Sequence, residues 1–387
     1  MPQSPVPASA LSSHRFLMRS ALAAGSAFAW VFVLQYFYGL TGDLARACTQ
    51  VILLYALAQV VTALLTPYTA QMLGRGVRRS MFWGVLVCAL GFSLWGGALS
   101  GFFAETRIAG IVGFTLFLGA YRALYWIPYA LEHAEVGRDT PVSQEFFIAL
   151  MPAITGYALT EGALSAALLL FACIIIALVS LVPLVRVPES YERFSWGYRE
   201  AFGELFESKF KPIVESSFLE GVHGAALLII WPLTIFLIVG ASYRLLGLVL
   251  TVTLLLALPL RRLGRNITRG RHVLHIALAA SAWALRLIVA TPVGVIFADV
   301  YASVGRPLSA IDLYALEHSA DNGTFVDELT ALKEIAMCIG RITMCVITAF
   351  CISAFSLPVG LAVAFIVAAL SAALSILQTR REEQAAF

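Results

Sequence analysis

Residues 129–133 read Tyr-Ala-Leu-Glu-His, and residues 314–318 read Tyr-Ala-Leu-Glu-His again, 185 positions further on in a chain of 387. Tyr, Glu and His are scarce here, so the repeat says more than a shared run of Leu and Ala would. A second echo has nearly the same offset. Leu73-Gly74-Arg75 and Leu263-Gly264-Arg265 each follow a long apolar stretch and are expected to open a basic loop. Two echoes at one offset predict a chain of two similar halves, a form of internal symmetry common in membrane transporters.

Composition points to a membrane. The chain is 60% hydrophobic and 13% charged, with mean hydropathy +0.86. Soluble globular proteins carry about 25% charged residues, and this chain has too few polar side chains to cover soluble domains. Runs long enough to cross about 30 Å of hydrocarbon number twelve. The first half holds 21–40, 48–67, 81–99, 107–128, 146–161 and 163–185; the second holds 213–239, 241–260, 273–290, 292–313, 334–355 and 357–377. At these lengths only helices satisfy every backbone polar group in lipid. The expected fold class is an all-α membrane protein with twelve helices in two pseudo-symmetric six-helix bundles.

Basic residues set the expected orientation. With both termini in the cytoplasm, that side takes clusters such as Arg75, Arg78 and Arg79, Arg261 to Arg271, and Arg380 with Arg381. The other side takes Arg46, Arg107 and Arg244, the bias of the positive-inside rule. The expected divisions are a cytoplasmic tail (1–20, with Met1–Ser13 disordered), a first bundle (21–185), a cytoplasmic linker (186–211), a second bundle (212–378) and a C-terminal tail (379–387). In the linker, Phe202, Phe206 and Phe210 recur every four residues. That spacing predicts an amphipathic helix at headgroup level. The six cysteines lie in or beside spans without a Cys-x-x-Cys pair and read as inert packing.

This organisation resembles the major facilitator superfamily across nearly the whole chain. That family's loop between helices 2 and 3 typically reads Gly-x-x-x-Asp-Arg-x-Gly-Arg-Arg. Here the register gives Ala70, Gly74, Arg75, Val77, Arg78 and Arg79, which keeps the three arginines and lacks the Asp and both glycines. Helix 5 holds Pro152, Gly156 and Gly162 but not the dense glycine pattern of drug/proton antiporters. Tyr125-Trp126-Ile127-Pro128-Tyr129 is similar to uncharacterised bacterial members. The resemblance implies alternating access by two bundles in a bacterial cytoplasmic membrane.

Ionisable groups inside hydrocarbon cost roughly 2.5–3.5 kcal/mol each on insertion scales and so ask for a reason. Arg286 and Asp299 are expected to pair across the hairpin of helices 9 and 10. Arg122 and Arg306 lie 184 apart, near the repeat offset, and two facing arginines make a clamp for a carboxylate or phosphate. Glu220, His223 and Asp299 are the candidates for a coupling proton. Structural pairing competes with each role: Arg341 has Glu334 two turns away, and Glu220 has arginines on neighbouring helices.

The repeated Glu132-His133 and Glu317-His318, with Arg75, Arg78, Arg79 and Arg341, are candidates for a cytoplasmic gate. Glu135 and Asp321 extend the two Glu-His sets toward metal ligation, but adjacent Glu and His diverge by about 100° on a helix. No metal site is therefore expected. Tyr36, Tyr121, Trp126 and Trp231, with Gln35, Tyr38 and Gln59, are candidates to line a solute path, against the alternative of interfacial belts.

No nucleotide loop, dinucleotide fingerprint or hydrolase signature occurs. Neither an enzyme nor a cofactor is expected. The reading is a secondary transporter for a small organic solute, preferentially anionic, coupled to an ion gradient through a proton. Its partners are the solute, the lipid bilayer and the coupling ion, without nucleic acid, and it acts as a monomer. Efflux of drugs or lipophilic compounds is the rival within transport. A polytopic membrane enzyme or a non-transporting sensor is the rival outside it.

Overall fold

The computed structural model describes residues 6–102, 106–136, 141–268, 272–304 and 326–385. Among them there are helices and turns but no strand. The first half runs α1 (Val6–Thr41), α2 (Leu44–Leu73), α3 (Val77–Leu99), α4 (Arg107–Val136), α5 (Val142–Thr160), α6 (Ala166–Val179) and α7 (Leu181–Leu184), a short continuation of α6. After the short α8 (Tyr198–Gly203) come α9 (Lys211–Ala225), α10 (Trp231–Ile238), α11 (Tyr243–Thr268), α12 (His272–Ile288) and α13 (Pro292–Val304). Then follow α14 (Val326–Ala354) and α15 (Leu357–Ala385). Ten helices are long and apolar enough to cross a membrane, joined by two shorter apolar ones, Ala277–Ile288 and Pro292–Val304. The chain is a multi-pass membrane protein.

Local chemistry explains the boundaries. Asp43 caps α2 by accepting from Ala45 N and Arg46 N, and Ser165 caps α6 by accepting from Leu168 N, each satisfying first-turn donors. The break between the fifth and sixth spans is the turn at Gly162, whose φ of +71° favours glycine. The seventh span is interrupted by a π turn at Ala226–Ile230 just before Trp231-Pro232. Pro232 lacks the N–H that would continue the ladder, and a π turn absorbs the lost register.

Helices before the linker pack mainly on one another, as do those after it, and two seams join the halves: α2 against α14, and α5 against α11. At the second seam the backbones nearly touch. A Cβ on Gly156 would stand 2.3 Å from Tyr243 O, and one on Gly247 would stand 2.1 Å from Pro152 O. Beside Pro152, Ala153 N donates to Thr251 Oγ1 at 2.9 Å. Small residues and side-chain hydrogen bonds hold such contacts where lipid supplies no hydrophobic drive.

Three expectations need correction. The N-terminal segment is helical from Val6, not disordered up to Ser13. Pro7 falls in a first turn that needs no N–H, and Ala10, Leu11, His14 and Met18 are buried. The second Leu-Gly-Arg opens no loop, because α11 runs through it to Thr268. The linker is not one amphipathic helix. Glu207 is extended, which rotates Phe210 into full burial and leaves Phe206 90% exposed.

Candidate functional site

The first seam carries the most concentrated buried charge among the described residues. On α14, Glu334, Cys338 and Arg341 follow at spacings of four and three, so they share one stripe. On α2, Tyr55 and Gln59 share another, and α4 supplies Arg122. Glu334 Oε1 accepts from Arg122 Nε at 2.8 Å and from Arg341 Nη1 at 3.0 Å. Gln59 Oε1 accepts from the same Nη1 at 3.2 Å. The Cys338 thiol lies 3.8 Å from Gln59 Oε1 and 3.9 Å from Glu334 Oε1.

Glu334 and Arg341 are buried, while the Arg122 side chain keeps 24% of its accessibility. Two guanidiniums against one carboxylate leave one positive charge. Donor capacity is left as well. Arg341 Nε and the Tyr55 hydroxyl have no hydrogen-bond partner among the described residues, and Arg341 Nη2 meets only the Met337 thioether, at 3.7 Å. A guanidinium with an unused edge binds carboxylate or phosphate oxygens in a fork. Arg341 thus keeps donor capacity that the described residues do not use.

Of the expected clamp, Arg122 is here, while Arg306 lies outside the described residues. Arg341, expected at a gate, sits in mid-helix beside Arg122, and its structural pairing with Glu334 is present. From the second half, α9 brings Gly224 to 4.0 Å of Arg341 Nε, measured from a Cβ built on Gly224. Glu220 is one turn earlier on the same stripe, and its Oε2 is buried without a hydrogen-bond partner among the described residues. His223 Nδ1 contacts Leu219 O at 3.2 Å.

The expected pair of Arg286 and Asp299 forms at 2.6 Å. Trp231 adds its Nε1–H to Asp299 at 2.8 Å, and Arg286 lies over the Trp283 ring at 4.3 Å from its centroid. Asp299 is thus held by two donors. Among the aromatic candidates, Tyr36 packs on Phe37 and Trp95. Tyr121 stacks on Tyr125, which stacks on Tyr129, with Trp126 edge-on to both Tyr125 and Tyr129. Their contacts run within the first half.

At the linker end, Arg78 donates from Nε to Glu189 at 3.0 Å and from Nη1 to Val185 O and Val187 O. Arg79 N donates to Glu189 Oε1 at 3.3 Å. Glu189 lies 111 positions along the chain from Arg78. Gly76 (φ +127°) lets it approach, since a Cβ there would stand 2.3 Å from Glu189 Oε1. The linker then straps the seam. Tyr198 donates to Leu64 O at 2.9 Å and Gln71 to Trp196 O at 3.3 Å, while Glu328 accepts from Ser195 N at 3.0 Å. Of the other gate candidates, Arg75 ends the α2 turn, its N donating to Met72 O. Glu132 and His133 lie on α4 with side chains outside the described set, and Glu317 and His318 fall outside the described residues.

At the other end of the molecule, Tyr243 closes the gap between halves. Its hydroxyl donates to Gln35, and its ring packs with Phe28, Phe32 and Phe236. Sequence reasoning missed Glu189, Tyr243 and His14. The buried His14 meets Ser180 O through Nδ1 at 2.8 Å and the Tyr125 hydroxyl through Nε2 at 3.0 Å. The three-to-four spacing of Ala10, Leu11, His14 and Met18 was the available signal.

No family model matches the chain, and no curated protein matches it by sequence. Among solved structures, it is similar to the human organic anion transporter MFSD10 (TETRAN), with a TM-score of 0.57 over 98% of this chain and 100% of that one. The fold is the major facilitator fold. Sequence identity to MFSD10 is 13%, so the likeness carries the fold alone. Within the major facilitator fold, the Arg122–Glu334–Arg341 cluster stands where helices of the two halves meet.

Proposed function

We propose that the protein is a secondary transporter that moves a small organic anion across a membrane by alternating access of its two halves. The observation that carries this reading is the buried cluster at the α2/α4–α14 seam, with Arg122 from the first half, Arg341 from the second and donor edges to spare. Buried arginines without a full set of acceptors are costly in a membrane protein unless a ligand completes them. The name of MFSD10, an organic anion transporter, points the same way. In this reading α12 and α13 cross the membrane as the ninth and tenth of twelve helices, and both termini are cytoplasmic.

Arg122 and Arg341 bind the solute's carboxylate or other anionic group, and Tyr55 and Gln59 orient it. The Tyr243 contacts close one end of the path, and the Arg78–Glu189 pair with the linker strap closes the other. The test is uptake of radiolabelled organic anions, sugars and lipophilic cations into proteoliposomes. Anion uptake is expected, falling at least about tenfold in Arg122→Ala and Arg341→Ala, the loss of a charged hydrogen bond. Uptake of cations or sugars alone, or anion uptake unchanged in both variants, overturns the assignment.

A further inference from the structure

We infer that Glu334 is a tethered competitor for the anion site, so that anion binding and protonation of Glu334 favour one another. The inference rests on the anion-transport reading. Arg122 and Arg341 both direct donors at one oxygen of Glu334, Oε1, with the Cys338 thiol beside it. The carboxylate thus stands where a carboxylate solute would stand, but in a single-oxygen grip. A free solute can turn to meet a guanidinium fork with two oxygens, the stronger arrangement. The α14 backbone does not give Glu334 that freedom.

The site carries +1 with Glu334 ionised and +2 with it protonated. Protonation also removes the charge that holds Arg122 and leaves a weaker, neutral acceptor. An anion therefore binds the protonated form more tightly, and by reciprocity the bound anion raises the proton affinity of Glu334. A released, ionised Glu334 would remain buried, where an unpaired carboxylate is unstable. Its proton comes from water, so one anion and up to one proton enter together. This couples transport to a proton gradient through a residue different from Glu220, His223 or Asp299.

The groups around Glu334 are few. Arg122 approaches from α4, Tyr55 and Gln59 from α2, and Cys338 and Arg341 from α14 itself. Tyr55 lies within electrostatic range of both arginines. From α9, Gly224 faces Arg341, with Glu220 a turn before it and His223 adjacent. Glu220 and His223 are the competing titratable groups, so the experiment includes them.

The experiment measures binding of benzenesulfonate, charged at every pH used, and of benzoate to the purified full chain by calorimetry from pH 5.5 to 8. Two buffers of different ionisation enthalpy report protons taken up. The wild type is expected to bind about tenfold more tightly at the acid end and to take up a fraction of a proton per anion at neutral pH. Glu334→Gln is expected to bind at neutral pH at least as tightly as the wild type does at the acid end, without pH dependence or proton uptake. Glu220→Gln and His223→Gln are expected to behave as wild type.

PH-independent binding without proton uptake by the wild type overturns the inference and leaves anion transport standing, even if Glu334→Gln does not fold. So does pH dependence retained in Glu334→Gln or lost in Glu220→Gln or His223→Gln. Binding of neither anion by the wild type overturns the anion reading itself.

Discussion

The two seams between the halves are built on opposite principles. Where α5 crosses α11, glycines bring backbones into contact, and one neutral hydrogen bond from Ala153 N to Thr251 crosses the gap. Where α2 and α4 meet α14, two arginines, a glutamate and a glutamine carry the contact. The first is decided by shape, which admits no alternative partner. The second is decided by charge, and its geometry depends on the ionisation of Glu334. The proposed transport cycle uses both: a close pivot that keeps its register and a polar contact that a solute takes over.

The sharpest attempt to break this comparison is Gly247→Val. Its Cβ would meet Pro152 O at 2.1 Å, and overpacking of this kind costs about 3 kcal/mol or more. Loss of the folded protein's peak in size-exclusion chromatography, or a large fall in Tm, is expected. A fully stable variant would show that the seam opens freely and is no pivot.

Arg341→Met should come next, at about 2 kcal/mol. That is below the 3–5 kcal/mol of a fully orphaned buried charge because Arg122 still holds Glu334. A thermal melt in detergent checks stability, and anion uptake by the folded fraction should still be lost. If uptake survives, the charged seam serves structure only.

Thr251→Val should cost about 1 kcal/mol by removing the acceptor for Ala153 N, with anion affinity unchanged in calorimetry. A change in affinity would join the two seams into one functional unit. The smallest effect is expected from Arg78→Ala, about 1 kcal/mol or less, since its pair with Glu189 is partly exposed. A larger fall in Tm would make that linker-end contact a third structural seam.

Much of the architecture was legible. Apolar length located the described spans, with the first beginning some fifteen residues earlier than expected, and the turn at Gly162 fell where the apolar run thinned. The exceptions are particular. Pro and Ser suggested a tail up to Ser13, while the burial of Leu11 and His14 made it helix. Phe202, Phe206 and Phe210 have a helical spacing, but the extended backbone at Glu207 separates them. The pair of Arg286 with Asp299 was legible because a hairpin joins neighbours in sequence. The partner of Arg78 was not legible, since Glu189 reaches it from 111 positions along the chain.

The sequence by itself determined the membrane class and the places where helices cross. Those depend on hydrocarbon thickness and on backbone hydrogen bonds that each segment satisfies within itself. Only the tertiary structure decided that Arg122 meets Glu334, 212 positions away, with Arg341 on the same oxygen. Periodicity tells which residues share a face of one helix. It does not tell which helix that face will meet, and that choice of neighbour gathered two arginines and a glutamate into one cluster.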